Sequence, residues 1–378
     1  MIGGLTEEQE ELRALARDFL ADTSTTARVR ALVDSGRVRD DEVWRQMAEQ
    51  VGLQGIAIPE EYGGAGMGPV ELGVVAGELG RALFVGPYFS SVVLAGQTLT
   101  TCSDEAARAA WLPGIAAGEL TATLAVGDLT GEIDTAGVTT TAAAADDGGW
   151  TLTGTKRFVV DGDTAGLLLL AARAGGEVAL FAVDAAAVDA AAGGPPGLRR
   201  EPLPNLDLTR PLATVTLDGV PATRLAGDAA AVLARVGDLV AAALAAEQAG
   251  GAAAALEMAV EYAKIRVQFG RPIGSFQAIK HRCADLLCEI EAARVAAEAA
   301  TAMLAAGDPE GPLAASLAAA WCATAYTHAA KENIQIHGGI GFTWEHPAHL
   351  YLRRAKTAEL LFGTPARHRA RVAELAGI

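Results

Sequence analysis

Arg266-Val-Gln-Phe-Gly-Arg-Pro-Ile-Gly274, continued by Ser275-Phe-Gln277, gathers guanidinium groups, side-chain amides and aromatic rings into one short stretch. Some sixty residues on, Asn333-Ile-Gln-Ile-His-Gly-Gly-Ile-Gly-Phe342 adds a further amide at Gln335 and a close backbone approach at Gly338-Gly339. A dinucleotide needs cationic or amide donors for its pyrophosphate and flat surfaces for its rings, and the two stretches supply both. Taken singly, Arg266 and Gln268 also read as solvated helix-end residues, and the glycines as a helix C-cap and turn. No G-x-G-x-x-G follows a strand-like run and no P-loop is present, so a nicotinamide Rossmann domain is not expected.

The rest of the composition narrows the class. At 378 residues the chain is long enough for two or three domains and a large core. About half of it is hydrophobic, with long alanine runs that favour helices packed closely together. The 30 Lys and Arg against 46 Asp and Glu leave a formal charge of −16, which argues against nonspecific binding to nucleic acid or an anionic membrane. Cys102, Cys283, Cys288 and Cys322 form no C-x-x-C pair and read as free thiols of a reducing cytoplasm. The first residues carry neither a basic nor an apolar region of a signal peptide, and the apolar run Leu167–Ala172 is far too short to span a bilayer. A cytoplasmic location is the expectation.

Three regions follow from the periodicity. In residues 1–118, Thr6-Glu-Glu-Gln9 reads as a capping box, and helical patterns recur at Asp41–Gln50, Pro69–Ala82 and Asp104–Leu112. Residues 119–226 turn to short β-like runs at Thr121–Val126, Trp150–Thr153, Phe158–Val160, Gly166–Ala171, Val178–Val183 and Ala213–Leu217. From 227 to 378 helical periodicity returns, broken by Gly-Asp-Pro-Glu-Gly-Pro at 307–312, and fits a bundle of three or four long helices.

Helix, β and helix in this order, with the two quoted motifs, resemble the acyl-CoA dehydrogenases, flavoenzymes that desaturate acyl-CoA thioesters. Trp44, Gly52-Leu, Ile58-Pro-Glu-Glu-Tyr-Gly-Gly64 and Glu78-Leu-Gly-Arg81 match further family segments, so the resemblance covers the whole chain. It implies an α+β architecture: an N-terminal helical domain, a middle β-domain and a C-terminal four-helix bundle that drives oligomerisation. It also implies FAD, with Arg266, Gln268, Phe269, Gln277, Gln335, Gly338 and Gly339 holding the ADP half of a cofactor bound in a neighbouring chain. An acyl-CoA substrate and an electron-transferring flavoprotein as acceptor come with the resemblance.

Two places depart from the family pattern. Where the family has Thr-Glu-Pro…Gly-Ser-Asp and then Trp-Ile-Thr, cradling the flavin ring and the thioester, this chain has Leu124-Ala-Val-Gly-Asp-Leu-Thr130 and Lys156-Arg-Phe-Val-Val160. The family's catalytic Glu, which takes the α-proton, stands at one of two positions, here Phe362 and Val240. Neither a phenyl ring nor an isopropyl group accepts a proton. Glu247, seven residues after Val240 and thus two turns along the same helix face, is the remaining candidate for a catalytic base; the edge of a wet face with Glu257, Glu261 and Lys264 explains it as well. Glu359 is a weaker candidate. Asp207-Leu-Thr-Arg210 reads as a structural turn with its arginine paired. His346-x-x-His349 has no third ligand at a familiar spacing, so no metal site is expected.

The resemblance is nearest to actinobacterial dehydrogenase subunits that assemble as α2β2 heterotetramers, in which a Glu-lacking chain lends ADP-binding segments to a catalytic partner, often for steroid side-chain thioesters. A self-sufficient homo-oligomer using Glu247 and a flavin-free structural or acyl-CoA-binding protein on the same scaffold are the alternatives.

Overall fold

A computed structural model describes residues 4–37, 39–145, 148–185 and 196–378. The N-terminal region is built from α1 (Glu7–Thr23), α2 (Thr26–Ser35), α3 (Asp41–Val51) and α4 (Pro69–Arg81). A π-helix (Phe89–Gly96), α5 (Gln97–Thr101) and α6 (Glu105–Ala116) complete it. The capping box at the start of α1 is formed in both directions: Gln9 N donates to Thr6 Oγ1 at 3.3 Å, and Thr6 N to Gln9 Oε1 at 3.0 Å. Every residue of the π-helix is buried. Its wide turns are a rare conformation that apolar periodicity does not signal.

The middle region contains β1 (Ala122–Ala125), β2 (Thr141–Ala144), β3 (Trp150–Val160), β4 (Leu167–Ala174), β5 (Glu177–Asp184), β6 (Leu198–Pro202) and β7 (Leu212–Arg224). β4 pairs with both β2 and β5, and β2–β3–β7–β5 completes the ring, so the sheet closes on itself as a small barrel. β1 adds in parallel to β4, and β6 adds to β7. The two β-like runs expected at Trp150–Thr153 and Phe158–Val160 are one strand. It is interrupted by register shifts at Leu152/Gly154 and Lys156/Val159, and Phe158 there takes a φ of +56°. Such bulges re-aim side chains without ending a strand.

The C-terminal region has three long helices, α7 (Ala229–Ile265), then after a two-stranded hairpin β8 (Val267–Gln268) and β9 (Arg271–Pro272), α8 (Gln277–Ala305) and α9 (Gly311–His337). Two shorter helices follow, α10 (Ala348–Ala358) and α11 (Pro365–Ala376). α7 is long and apolar enough to cross a bilayer by length and composition, but 67% of its apolar window is buried inside the protein. The composition explains the burial. Alanines of α7, α8 and α9 form a shared core in which small side chains let helix axes draw close.

The contact between α4 and α7 positions the site described next. A Cβ on Gly80 would stand 2.0 Å from the backbone oxygen of Glu247, and one on Gly250 would stand 1.9 Å from that of Gly77. The two helices therefore touch backbone to backbone, and the side chain of Glu247 enters the protein along that seam.

Candidate functional site

Glu247 is 4% exposed, so it does not belong to the wet face of α7. Its carboxylate accepts from Arg210 Nη2 through Oε2 and from Arg354 Nη1 at 3.1 Å through Oε1. Arg210 comes from the turn before β7 and Arg354 from α10. Arg354 continues the network to Asp207 Oδ2 at 2.9 Å, to the backbone oxygen of Phe84 at 3.0 Å and to that of Thr209 at 3.1 Å. Asp207 in turn accepts from Thr209 N at 2.9 Å, so Asp207-Leu-Thr-Arg210 is a turn with its arginine paired.

Electrostatics follow from this enclosure. Burial alone pushes the Glu247 carboxyl up, but the charges of Arg210 and Arg354 outweigh it and leave it below the usual carboxylate range. Burial lowers and the charges of Asp207 and Glu247 raise Arg354, with a net rise. A base for an α-proton needs the opposite: a dry pocket that raises its pKa and leaves its lone pairs free toward substrate. The cavity beside Glu247, bounded by Ala76, Leu79, Phe84 and Phe89, holds about 20 Å³. That is room for about one water molecule.

The position expected to carry the family's base is closed as well. Phe362, at a φ of +58°, stacks on Phe89 of the π-helix with ring centroids 5.8 Å apart and planes 18° from parallel. The guanidinium of Arg210 lies 4.8 Å from the centroid of the Phe89 ring. Phe362, Phe89, Arg210, Glu247, Arg354 and Asp207 thus form one continuous column of stacked rings and ion pairs. Val240 is fully buried in the apolar core. Glu359 accepts from Thr327 Oγ1 of α9 at 3.1 Å and pairs with Lys356, so its carboxylate is engaged between α9 and the end of α10.

The loop at the flavin-cradle position is pinned from within. Lys156, fully buried, donates to Val126 O at 2.6 Å and pairs with Asp128. Asp128 also accepts from Thr139 N at 2.9 Å and Thr140 N at 2.6 Å. Burial raises the Asp128 carboxyl, and its bonds to Lys156 and Thr139 bring it below the usual value. Further along, Arg367 of α11 donates to Asp134 Oδ2 at 2.6 Å and pairs with Glu132 at 3.5 Å. Between this loop and Phe362 lies a cavity of about 200 Å³, lined in part by Glu132, Asp134, Arg367 and His368. The arginines at its wall are engaged within the chain, Arg367 by Glu132 and Asp134 and Arg371 by Asp238, which makes it a poor match for a flavin's diphosphate.

Asp161, at the end of β3, takes a φ of +53° and accepts from Ser90 Oγ of the π-helix. Burial raises its carboxyl to about 6, against the hydrogen bond from Ser90 and the charge of Arg210. For a carboxyl raised on folding, the folded state keeps its proton longer than the unfolded chain, so stability falls as pH rises from about 4 to 6 and stays lowered above. Asp161→Asn is therefore expected to stabilise the protein by about 1–3 kcal/mol at pH 7.5. The gain should vanish at pH 4, in urea titrations at both pH values. An equal gain at both would rule out ionisation as its cause.

The seven residues expected to face the ADP half of FAD behave differently. Arg266, Gln268, Phe269, Gln277, Gln335, Gly338 and Gly339 are all exposed. The hairpin β8–β9 turns through Phe269 and Gly270 at φ values of +53° and +76°, which holds the Phe269 ring 92% exposed. An aromatic residue at positive φ is strained, and strain of this kind concentrates at functional sites. Tyr262, one turn before Arg266, stacks on His337, next to Gly338, with centroids 4.2 Å apart. The two segments therefore stand side by side. Neither Gly338 nor Gly339 has any atom near its missing Cβ, leaving open backbone for a ligand to approach. These residues fit the phosphates and flat rings of a dinucleotide, and they are presented outward to solvent. Among the described residues no cluster of three or more His, Cys, Asp or Glu stands ready for a metal.

Arg354 and Phe89, central to the buried column, were not singled out by sequence. An arginine within the amphipathic helix α10 reads as a surface residue, and a phenylalanine in an apolar run reads as core.

Comparison with known proteins agrees with this architecture. The acyl-CoA dehydrogenase N-terminal domain family matches residues 6–119, and the C-terminal domain family matches residues 238–376. The chain is 37% identical to the acyl-CoA dehydrogenase IpdE2 of Mycobacterium tuberculosis, over 95% of this chain and 94% of that protein. It is 38% identical to the acyl-CoA dehydrogenase FadE34 of the same organism, over 99% of this chain, and spans 49% of the length of FadE34. Among solved structures, a variant of the Tcur3481-Tcur3483 steroid ACAD superposes with a TM-score of 0.86 at 33% identity, covering 98% of each chain. The chain belongs to the acyl-CoA dehydrogenase family, whose members are FAD-dependent oxidoreductases.

Proposed function

We propose that this chain is the Glu-lacking subunit of a heteromeric acyl-CoA dehydrogenase, and that it lends its exposed hairpin and glycine segment to the FAD of a Glu-bearing partner. The observation that carries the reading is the filled column from Phe362 to Asp207, which occupies the place of the base with a phenyl ring and neutralises Glu247 between two arginines. When bound, FAD supplies the hydride acceptor for α,β-desaturation. In the proposed complex, Arg266 and Gln268 hold the pyrophosphate of the partner's cofactor, Phe269 offers a ring face, and Gly338-Gly339 admit the adenosine end. The substrate is an acyl-CoA with a bulky, steroid-like acyl group; kinship with a steroid ACAD supports this choice. An electron-transferring flavoprotein takes the electrons onward. Four free cysteines fit a reducing cytoplasm.

The test is the visible spectrum of the chain, alone and co-expressed with a Glu-bearing acyl-CoA dehydrogenase, before and after anaerobic addition of acyl-CoAs. A colourless chain alone and a yellow, bleachable complex is the expected result. A yellow chain that bleaches alone would overturn the reading and return Glu247 to consideration as a base. Restoring the missing group does not rescue the chain: Phe362→Glu, without a partner, is expected to cost about 2 kcal/mol through loss of the Phe89 stack. It should also yield no substrate-dependent bleaching, because the cradle stays unchanged.

A further inference from the structure

The two exposed segments leave different helices, yet a shared FAD needs them at one fixed spacing. α7 ends at Ile265 just before Arg266, and α9 ends at His337 just before Gly338. Where the two helix ends meet, three rings lie in series, the first pair stacked and the second tilted. Tyr262 lies 4.2 Å from His337 at 29°, and His337 lies 4.1 Å from His346 at 39°. The backbone at each ring leads into a segment, and the two imidazoles are also bonded to it. The backbone oxygen of Tyr262 accepts from Arg266 N at 2.9 Å. His337 Nδ1 and Asn333 O are 2.8 Å apart, which makes Nδ1 the protonated nitrogen of a neutral His337. His346 Nδ1 accepts from Ala348 N at 3.2 Å, which fixes the opposite tautomer and closes the loop that follows Gly338-Gly339.

The charge state suits stacking. Burial lowers His337, with the backbone of Asn333 opposing, and burial followed by the proximity of His337 and His349 lowers His346 to about 4. At neutral pH two uncharged imidazoles face each other without repulsion, and aromatic faces at this spacing attract. Beside the rings, Ala259 and Ala263 of α7 share a small apolar cluster with Ile336 of α9, so the stack adds a directional contact to a seam that is otherwise apolar. Asn333 reaches α7 one turn earlier, through Met258 Sδ at 3.5 Å.

We infer that Tyr262, His337 and His346 are positioning residues that set the distance between the Arg266 segment and the Gly338-Gly339 segment, and so hold the proposed FAD-lending surface in register. The inference rests on the proposed function, since it assigns a purpose to a surface that only a partner's cofactor would use. None of the three rings needs to touch FAD for this role.

The experiment uses the co-expressed complex, with FAD retention measured by fluorescence of released flavin and assembly by size-exclusion chromatography. Tyr262→Ala and His337→Ala are expected to weaken FAD retention roughly tenfold while the complex stays assembled, a loss equivalent to one aromatic contact at each site. Tyr262→Phe keeps the ring and should restore retention, which a merely hydrogen-bonding role would not predict. If Tyr262→Ala fails to assemble, Tyr262→Leu keeps the volume without the aromatic face and is expected to show the same tenfold loss. Retention within twofold of wild type in an assembled Tyr262→Ala or Tyr262→Leu complex would overturn the inference alone. A wild-type complex without flavin would overturn the proposed function, and the inference with it.

Discussion

Glu247→Gln is expected to lower the unfolding free energy by about 3–5 kcal/mol, the usual loss when one partner of a buried ion pair is removed. The size follows from what remains. Arg210 and Arg354 are each about 95% buried, and the substitution leaves both guanidiniums facing a neutral amide. Asp207 still pairs with Arg354, so Arg210 carries most of the uncompensated charge. Urea denaturation at pH 7 measures the loss, with Glu261→Gln on the exposed part of the same helix as the comparison. The Glu261–Lys264 pair is exposed, and losing it should change stability by less than about 1 kcal/mol. The pH dependence has a definite sign. Because the folded-state pKa of Glu247 is depressed, its contribution is present above the unfolded value and is lost as pH falls through the folded one. The difference between wild type and Glu247→Gln should therefore shrink in acid. A Glu247→Gln protein as stable as wild type at pH 7, yet without turnover, would mean that the carboxylate serves chemistry rather than structure.

Arg266→Gln, in the complex, is expected to reduce FAD affinity roughly 10–100-fold, the equivalent of one charge-assisted hydrogen bond of about 1.5–3 kcal/mol. The thermal stability of the chain should stay where it was, because the side chain of Arg266 is exposed and makes no ion pair among the described residues. This separation of cofactor affinity from stability distinguishes a lent donor from a structural arginine such as Arg354. Equilibrium dialysis of FAD against the wild-type and variant complexes, with calorimetry of both, reads the two quantities. Unchanged affinity would remove Arg266 from the cofactor surface.

What could be read from the sequence divides along physical lines. The helices of the bundle and the capping box were legible, because each depends on residues near one another in the chain. The two segments proposed for the cofactor stood out for a related reason, since the donors, ring and glycines of each lie close together in the chain, and the structure shows them exposed. The fate of Glu247 was not. Whether a lone glutamate in an alanine run is a base, a surface residue or one end of an ion pair depends on Arg210 and Arg354, 37 and 107 residues away. The π-helix at Phe89–Gly96 was equally hidden, since its apolar residues suit any buried helix. Phe362 stood out as a substitution, but only the structure supplies Phe89 as the ring that it stacks on.

Under the proposed division of labour, in which the closed column leaves the chemistry to the partner and only the partner's cradle holds a flavin, the assembly has a set stoichiometry. If such a chain and its partner are present in equal numbers, the oligomer carries one flavin for every two polypeptides, however many subunits it contains. Its ratio of protein to flavin absorbance would then be about twice that of a homo-oligomer in which every chain holds a cofactor. A saturating titration with a tight-binding acyl-CoA would likewise end at half an equivalent per chain. Counting chromophores against chains thus reports the division of labour between subunits without any knowledge of the substrate.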